Sequence, residues 1–482
     1  MFLLREYFIL IKKMSPIFDH TISPLTKAKR RIIFYLVVLL FLVITPLVAL
    51  YSTGYKFDLK TRQLLPTGGI FIKTNQAGFK VFINGELAKQ ASFFSNGALV
   101  IDLKPDLYLV RIEKEGFKSW QRFVHVSGES VSESRFIMLF PEKIPEKEIL
   151  DLSRRGLTID EFSILEKSPW VAIRVNERKQ LIYLFDRDTG ALDAVESFAD
   201  SRWDYSGRRL LVERRNPTRW AVVNLSSDKI REEKIAPPKK MGTITGMDFV
   251  AGSPNEFLAL NSEGELLRFN KVSGEFSSVL SDINVFVVND ARLWFIGKNG
   301  FLASADLDGK NPENYGRKGF YISDEPVQVE ASSGGGVFFI DSGGGFFVQE
   351  ADDPEIVPIA GNVRSAALDA EGEKIVFCTD HDVNVMWLKD EQRQPFRKAG
   401  GREKIITLSG EELVACDWWG PDEENIVFYA GKFIGVVDID TRASGAAATI
   451  LYDDIKGSAG FEKEAGRILR SEKSFLFSAK LY

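Results

Sequence analysis

Histidine and cysteine are almost missing from this chain. Its 482 residues include three histidines, His20, His125 and His381, and two cysteines, Cys378 and Cys416. With so few imidazoles spread so far apart, neither a His-dependent nucleophile triad nor a His-rich metal site is expected. Two cysteines exclude a disulfide-rich scaffold and any Cys-based zinc site. No Gly-x-Ser-x-Gly elbow occurs either. Both cysteines end apolar runs, Ile375-Val376-Phe377-Cys378 and Leu413-Val414-Ala415-Cys416, so they read as buried core thiols. A single disulfide is the other reading open to them in an oxidising compartment. An excess of positive charge is found only near the N-terminus. Residues 1–31 hold seven basic residues against Glu6 and Asp19, and the overall net charge of -5 leaves the remainder near -10. A body of that sign is a poor nucleic-acid binder, because phosphate contacts need clustered Lys and Arg. The expectation is therefore no catalytic residue, no cofactor and no metal ligand. Carboxylates are plentiful, however, and a pair on a β scaffold could hydrolyse a glycoside.

Ile32 to Tyr55 is an uncharged run of 24 residues, interrupted only by Pro46. About 20 apolar residues cross the hydrocarbon core of a bilayer, so 32–55 reads as a transmembrane helix with Tyr51 and Tyr55 at its interfacial end. Lys27, Lys29, Arg30 and Arg31 stand directly before it. That cluster places residues 1–31 in the cytoplasm and the rest outside, as a single-pass protein of the cytoplasmic membrane. The run is longer than a signal-peptide core, which favours an uncleaved anchor. Met14 is an alternative start to Met1.

After a linker at 56–67, short β runs follow from 68 to 140. Lys80-Val81-Phe82-Ile83 leads into Asn84-Gly85, a strong two-residue hairpin signal. About six strands in this stretch make a small β-sandwich. Its order of features resembles the PEGA domain of bacterial and archaeal surface proteins: Asn75-Gln76-Ala77-Gly78, the Asn84-Gly85 hairpin, Lys104-Pro105-Asp106-Leu107-Tyr108, and Glu113-Lys114-Glu115-Gly116-Phe117 up to Trp120. Ser92-Phe93-Phe94-Ser95 departs from the Thr-Pro pair usual in that family. The resemblance implies a non-catalytic envelope module.

Residues 141–150, charged and holding two prolines, read as a hinge. Beyond them a two-strand unit recurs, with matching positions at 171, 210, 258, 294, 338, 376 and 427. Repeats of about 40–45 β-rich residues point to a propeller, here of roughly seven blades over 151–482. Asp306-Leu307-Asp308-Gly309-Lys310-Asn311-Pro312 is similar to the hairpin of TolB-like and WD40-type blades. The segment 474–481 is expected to return and pair near Leu157–Leu165, because an open ring would leave bare sheet edges. Gly334–Gly336 and Gly343–Gly345 are followed by strands, so they read as β-turns and not as phosphate loops. Asp306 and Asp308 lack the closing Glu of a calcium loop.

The chain is thus expected to be all-β apart from one membrane helix: a scaffold or adhesion protein that binds an envelope protein or a cell-wall glycan through its propeller. Trp418 and Trp419 are candidate partner contacts, with packing between blades as their other reading. The alternative is a propeller-fold carbohydrate-active or peptide-processing enzyme.

Overall fold

In the computed structural model, residues 26–52, 54–58, 63–164, 168–176, 181–204, 206–215, 218–225, 230–289, 292–315, 326–331, 337–349, 355–442, 445–463 and 465–481 are described. Most of the expected cytoplasmic tail, Met14 and Gly334–Gly336 lie outside these residues. The described residues fall into two compact units, the first built on 26–68 and the second on most of the rest.

The first unit holds the helix α1, Lys27–Ser52. Its apolar side chains from Ile32 to Val48 are exposed all round, and it is long and apolar enough to cross a membrane. It begins before the expected run, so Lys27, Lys29, Arg30 and Arg31 form its first two turns. Cations at a helix N-terminus oppose the helix dipole by roughly 0.3–1 kcal/mol each. These residues are therefore not there to stabilise the helix. Tyr55, expected at the end of the span, instead begins a strand, Tyr55–Asp58, paired with Gln63–Pro66. Lys56 pairs with Asp102 at 3.2 Å and Tyr55 donates to Glu129.

Seven strands between Gly68 and Ile137 form a three-stranded and a four-stranded sheet. Asn84 and Gly85 both have positive φ, 50° and 88°, as the tight turn between Lys80–Ile83 and Glu86–Gln90 requires. The strand Trp120–Val126 buries every second residue: Trp120, Arg122, Val124 and Val126.

Beyond lie eight four-stranded antiparallel sheets. We number them as blades 1 to 7 in chain order, at 159–196, 200–235, 244–280, 283–315, 326–360, 365–407 and 415–452, with strands A to D in each. Blade 8 is discontinuous. Ala459–Glu462, Arg467–Glu472 and Phe475–Lys480 supply strands A to C, and Glu146–Asp151 pairs with the last of them as strand D. A strands touch between blades 3 and 4, 4 and 5, 6 and 7, and 8 and 1, which puts the A strands on the axis. Eight apolar cores sit one at each boundary between successive blades, from blades 1 and 2 round to blades 8 and 1. This is a closed propeller of eight blades.

Two expectations are corrected here. Blade 8 was missed because its strands come from opposite ends of the repeat region, so no period could reveal it, and 146–150 is not a hinge. The C-terminal strand does return, but its partner is Glu146–Asp151 and not 157–165, which holds blade 1's A strand, Ile159–Ile164.

Leu476 sits on the closing strand, fully buried in the core between blades 8 and 1. Leu476→Ala should cost about 2–4 kcal/mol, the usual loss for a buried leucine. Chemical denaturation of the full chain would measure it, and an unchanged midpoint would mean that closure contributes nothing to stability.

Candidate interaction face

The meander of each blade sorts its loops onto two faces. A–B and C–D loops share one face, and B–C loops share the other with the D–A connections. On the first face a buried charge tempers the chain's design. Arg122, from the two-sheet module, is 5% exposed. Its Nη1 donates to Asp438 Oδ1 and to the Asp440 carbonyl, both at 3.0 Å, and its Nη2 donates to Asp440 Oδ2 at 2.6 Å and to Ser134 Oγ at 3.2 Å. Asp438 ends strand C of blade 7 and Asp440 begins its C–D loop. Arg442, from the same loop, donates to Asp440 Oδ1 at 2.9 Å, to Gln394 Oε1 at 3.0 Å and to the Glu133 carbonyl. Gln394, in the C–D loop of blade 6, accepts from the Glu133 amide at 3.2 Å. Asn425 Nδ2 donates to the Phe136 carbonyl at 3.0 Å. Every one of these propeller groups lies at an A–B or C–D loop of blades 6 and 7.

Burial pushes the Asp438 carboxyl up to about 6, against the pull of Arg122 and with a push from Asp440. Asp440 moves the other way: its burial is outweighed by hydrogen bonds and charge from Arg442 and Arg122, which hold it below the usual carboxylate range. A second buried pair lies beside this one. Lys374 Nζ contacts Glu424 at 2.8 Å and the Glu423 carbonyl at 3.1 Å, and it sits over the Trp418 ring at 5.1 Å. Burial raises Glu424, with Lys374 pulling it down. Cavities of about 30 Å³ and 10 Å³ lie where the module meets blades 6 and 7. This face is sealed and structural there.

The B–C and D–A face carries the larger clefts. One, of about 460 Å³, lies against blade 4 and the connection into it and is lined by Asp282, Phe295, Lys298, Asn299 and Phe301 among others. Another, of about 200 Å³, lies between blades 1 and 2, walled by Ala172, Ile182 and Phe198. Concave clefts with a few polar groups are where partners and ligands bind.

The aromatic candidates are not on either face. Trp418 and Trp419 are both completely buried. Trp418 Nε1 donates to the Ala367 carbonyl at 3.0 Å within the core of blades 6 and 7, and Trp419 packs with Met138 and Phe140 in the core of blades 7 and 8. Both pack between blades and neither is available as a partner contact, since A strands are covered by the next blade on each side. Cys378 and Cys416 are both free and buried in the blade 6–7 core. Ser365 Oγ lies 3.1 Å from one sulfur and 3.7 Å from the other. Burial raises the Cys416 thiol, while a hydrogen bond from it lowers Cys378. Gly343–Gly345 form the B–C turn of blade 5, with Gly344 at φ 78°. Asp306 accepts from Asn311 at 2.7 Å, and Asp308 pairs with Lys310 at 2.7 Å. Among the described residues no group of three or more His, Cys, Asp or Glu could hold a metal.

Sequence reading missed Arg122, Asp438 and Asp440. One signal was present: Arg122 stands in register with Trp120, Val124 and Val126 on an alternating strand, and an arginine at an inward position demands a carboxylate partner.

Two outcomes test the junction. The folded protein holds more protons on Asp438 than the unfolded chain does between pH 3.8 and about 6. Stability contributed by this group is thus present below that window and lost as pH rises through it, on the order of 2–3 kcal/mol. Urea midpoints against pH should show that slope in the wild type and lose it in Asp438→Asn. Arg122→Ala should cost about 3–5 kcal/mol at pH 7, because it leaves a buried carboxylate unpaired; a loss below 1 kcal/mol would show the junction to be hydrated and weak.

No family model matches the chain, and no curated protein does. Solved structures with some likeness include the computationally designed Ika8 protein, 13% identical, covering 70% of this chain and 100% of its own at a TM-score of 0.42. The C-terminal WD40 domain of Sif2 is 12% identical and covers 73% of this chain and 92% of its own at 0.40. The WD40 domain of SCAP from fission yeast is 12% identical and covers 70% and 98% at 0.41. Likeness this distant says nothing about what the chain binds.

Proposed function

We propose that this chain is a membrane-anchored scaffold that binds a protein partner on the B–C and D–A face of its propeller, without turning it over. The carrying observation is the asymmetry of the faces: the two-sheet module seals part of one over blades 6 and 7, while the other carries the clefts. The apolar helix α1 and its basic first turns support anchoring, with the N-terminus in the cytoplasm and the propeller outside. In this reading the PEGA-like module is the stem between anchor and propeller, and the partner belongs to the cell envelope. Binding without turnover is favoured because buried Asp438, Asp440 and Glu424 are each engaged by Arg122, Arg442 or Lys374 in structural pairs.

The test uses the full chain in its own membrane. A photo-crosslinking residue at the exposed Asn299, on the cleft face, should give a discrete adduct in intact cells, and one at the exposed Lys398, on the opposite face, should not. An engineered cysteine at Ser92 should react with an impermeant thiol reagent from outside. Adducts only from Lys398 would overturn the assigned face. Protection of Ser92 in intact cells, with labelling after lysis, would reverse the orientation.

A further inference from the structure

Charge on the cleft face is unevenly spread. Over blades 8, 1 and 2 its described loops contain Arg154 and Arg155 in the connection into blade 1, Lys473 in the B–C turn of blade 8, Arg215 in that of blade 2, and Lys239 and Lys240 in the connection into blade 3. All six are exposed, and these loops contain no Asp or Glu among their described residues. Arg215 is met by Glu213 at 3.3 Å, and Arg154 lies near Asp151, whose carboxyl is held down mainly by hydrogen bonds from Ser153 and further by that charge. Arg155, Lys239, Lys240 and Lys473 have no carboxylate partner among the described residues. Elsewhere on the same face the balance differs. Blades 6 and 7 present Asp380, Glu411 and Glu412, the connection into blade 8 carries Asp453 and Asp454 at the end of the arc, and the cleft at blade 4 has Asp282 beside Lys298. An uncompensated basic arc on a chain of net charge -5 is a local feature, not a consequence of composition.

Within that arc lies the cleft between blades 1 and 2. Its volume, about 200 Å³, is below the roughly 300–1,000 Å³ of small-molecule sites, so it suits one side chain and not a cofactor. Ala172, Ile182 and Phe198 give it apolar walls. Its two carboxylates are matched locally, Glu161 by Arg174 at 3.2 Å and Asp200 by Arg202 at 3.8 Å. An apolar slot with its own charges matched, flanked along the ring by unmatched cations, is the pattern of an anchor residue with flanking charge recognition.

We infer that this cleft and the basic arc around it take an acidic peptide segment of a partner protein, with one aromatic or branched aliphatic side chain in the slot between Ile182 and Phe198. An anionic glycan or a phosphate polymer would answer the charge but has no compact apolar group to fill the slot. Charge on the arc speeds and orients encounter, and the slot selects the residue that docks. This deepens the proposed function, since it names the chemistry of the partner that the cleft face would bind.

The full-length protein in nanodiscs of uncharged phosphatidylcholine would be titrated into a fluorescent synthetic peptide rich in Asp and Glu with a single central Phe, followed by anisotropy. Saturable binding that weakens with added salt is expected. Lys239→Glu with Lys240→Glu should weaken it about tenfold, as should Arg155→Glu with Lys473→Glu, while Lys398→Glu on the other face should not. These are exposed positions, and an unchanged thermal midpoint checks that each variant is folded. The same peptide with Phe→Ser should bind about tenfold more weakly. Absence of binding, indifference to both charge reversals, or equal binding of polyglutamate and the Ser peptide would overturn the proposal. If a discrete adduct still forms through Asn299 in cells, the scaffold reading survives that failure; if no adduct forms there, both fall.

Discussion

Closure of the ring is the constraint on which everything else here depends. A four-stranded sheet such as blade 6, whose strand Lys374–Cys378 is buried at every position, has two apolar faces and cannot stand in water alone. Each face is covered by a neighbour, and the covering runs unbroken through eight inter-blade cores. A linear stack would leave two faces and two edges bare. Pairing Glu146–Asp151 with Phe475–Lys480 joins the two ends of the repeat region in one sheet. Propeller folding thus waits on a contact between residues more than 300 positions apart, which is slow to form and strongly cooperative once made.

That closure also decides how the module before the propeller is placed. The chain leaves the module at Ile137 and enters strand D of blade 8 at Glu146, with Met138 and Phe140 already buried in the core of blades 7 and 8. So short a connection brings the module onto the adjacent A–B and C–D loops. The contacts made there are mostly charged and hydrogen-bonded. A buried ion pair is seldom a net source of stability. Its cost is imposed on every arrangement that leaves Arg122 or Asp438 unpaired, so it specifies one docking geometry. As a result one face of the propeller is spent on architecture near blades 6 and 7, and the opposite face is left to interact.

Electrostatics follows the same division. At the junction, charges are buried and share partners in a network, Arg122 with Asp438 and Asp440, and Asp440 with Arg442 as well. On the cleft face, the arc of Arg155, Lys239, Lys240 and Lys473 is exposed and unmatched. Unmatched surface charge costs the fold little because water solvates it, so such residues can be kept for recognition.

Much of this was legible in the sequence for a local reason. The apolar helix, the Asn84-Gly85 turn and the paired apolar runs of blades 1 to 7 each depend on a few consecutive residues, and the helix and strand periods report them directly. The four cations before the apolar run could also be read at once, since nothing about the helix itself asks for them. Tertiary structure alone decided the rest. It made an eighth blade from two distant segments, and no repeat period could have shown that. It buried Trp418 and Trp419, because exposure of an A-strand residue depends on the adjacent blade. It brought Arg122 to Asp438 and Asp440 across 316 and 318 positions. It also gathered Lys473, Arg155 and Lys239 onto one face, which sequence order scatters, because loop side is set by the strand-to-strand reversal of each blade and by closure of the ring.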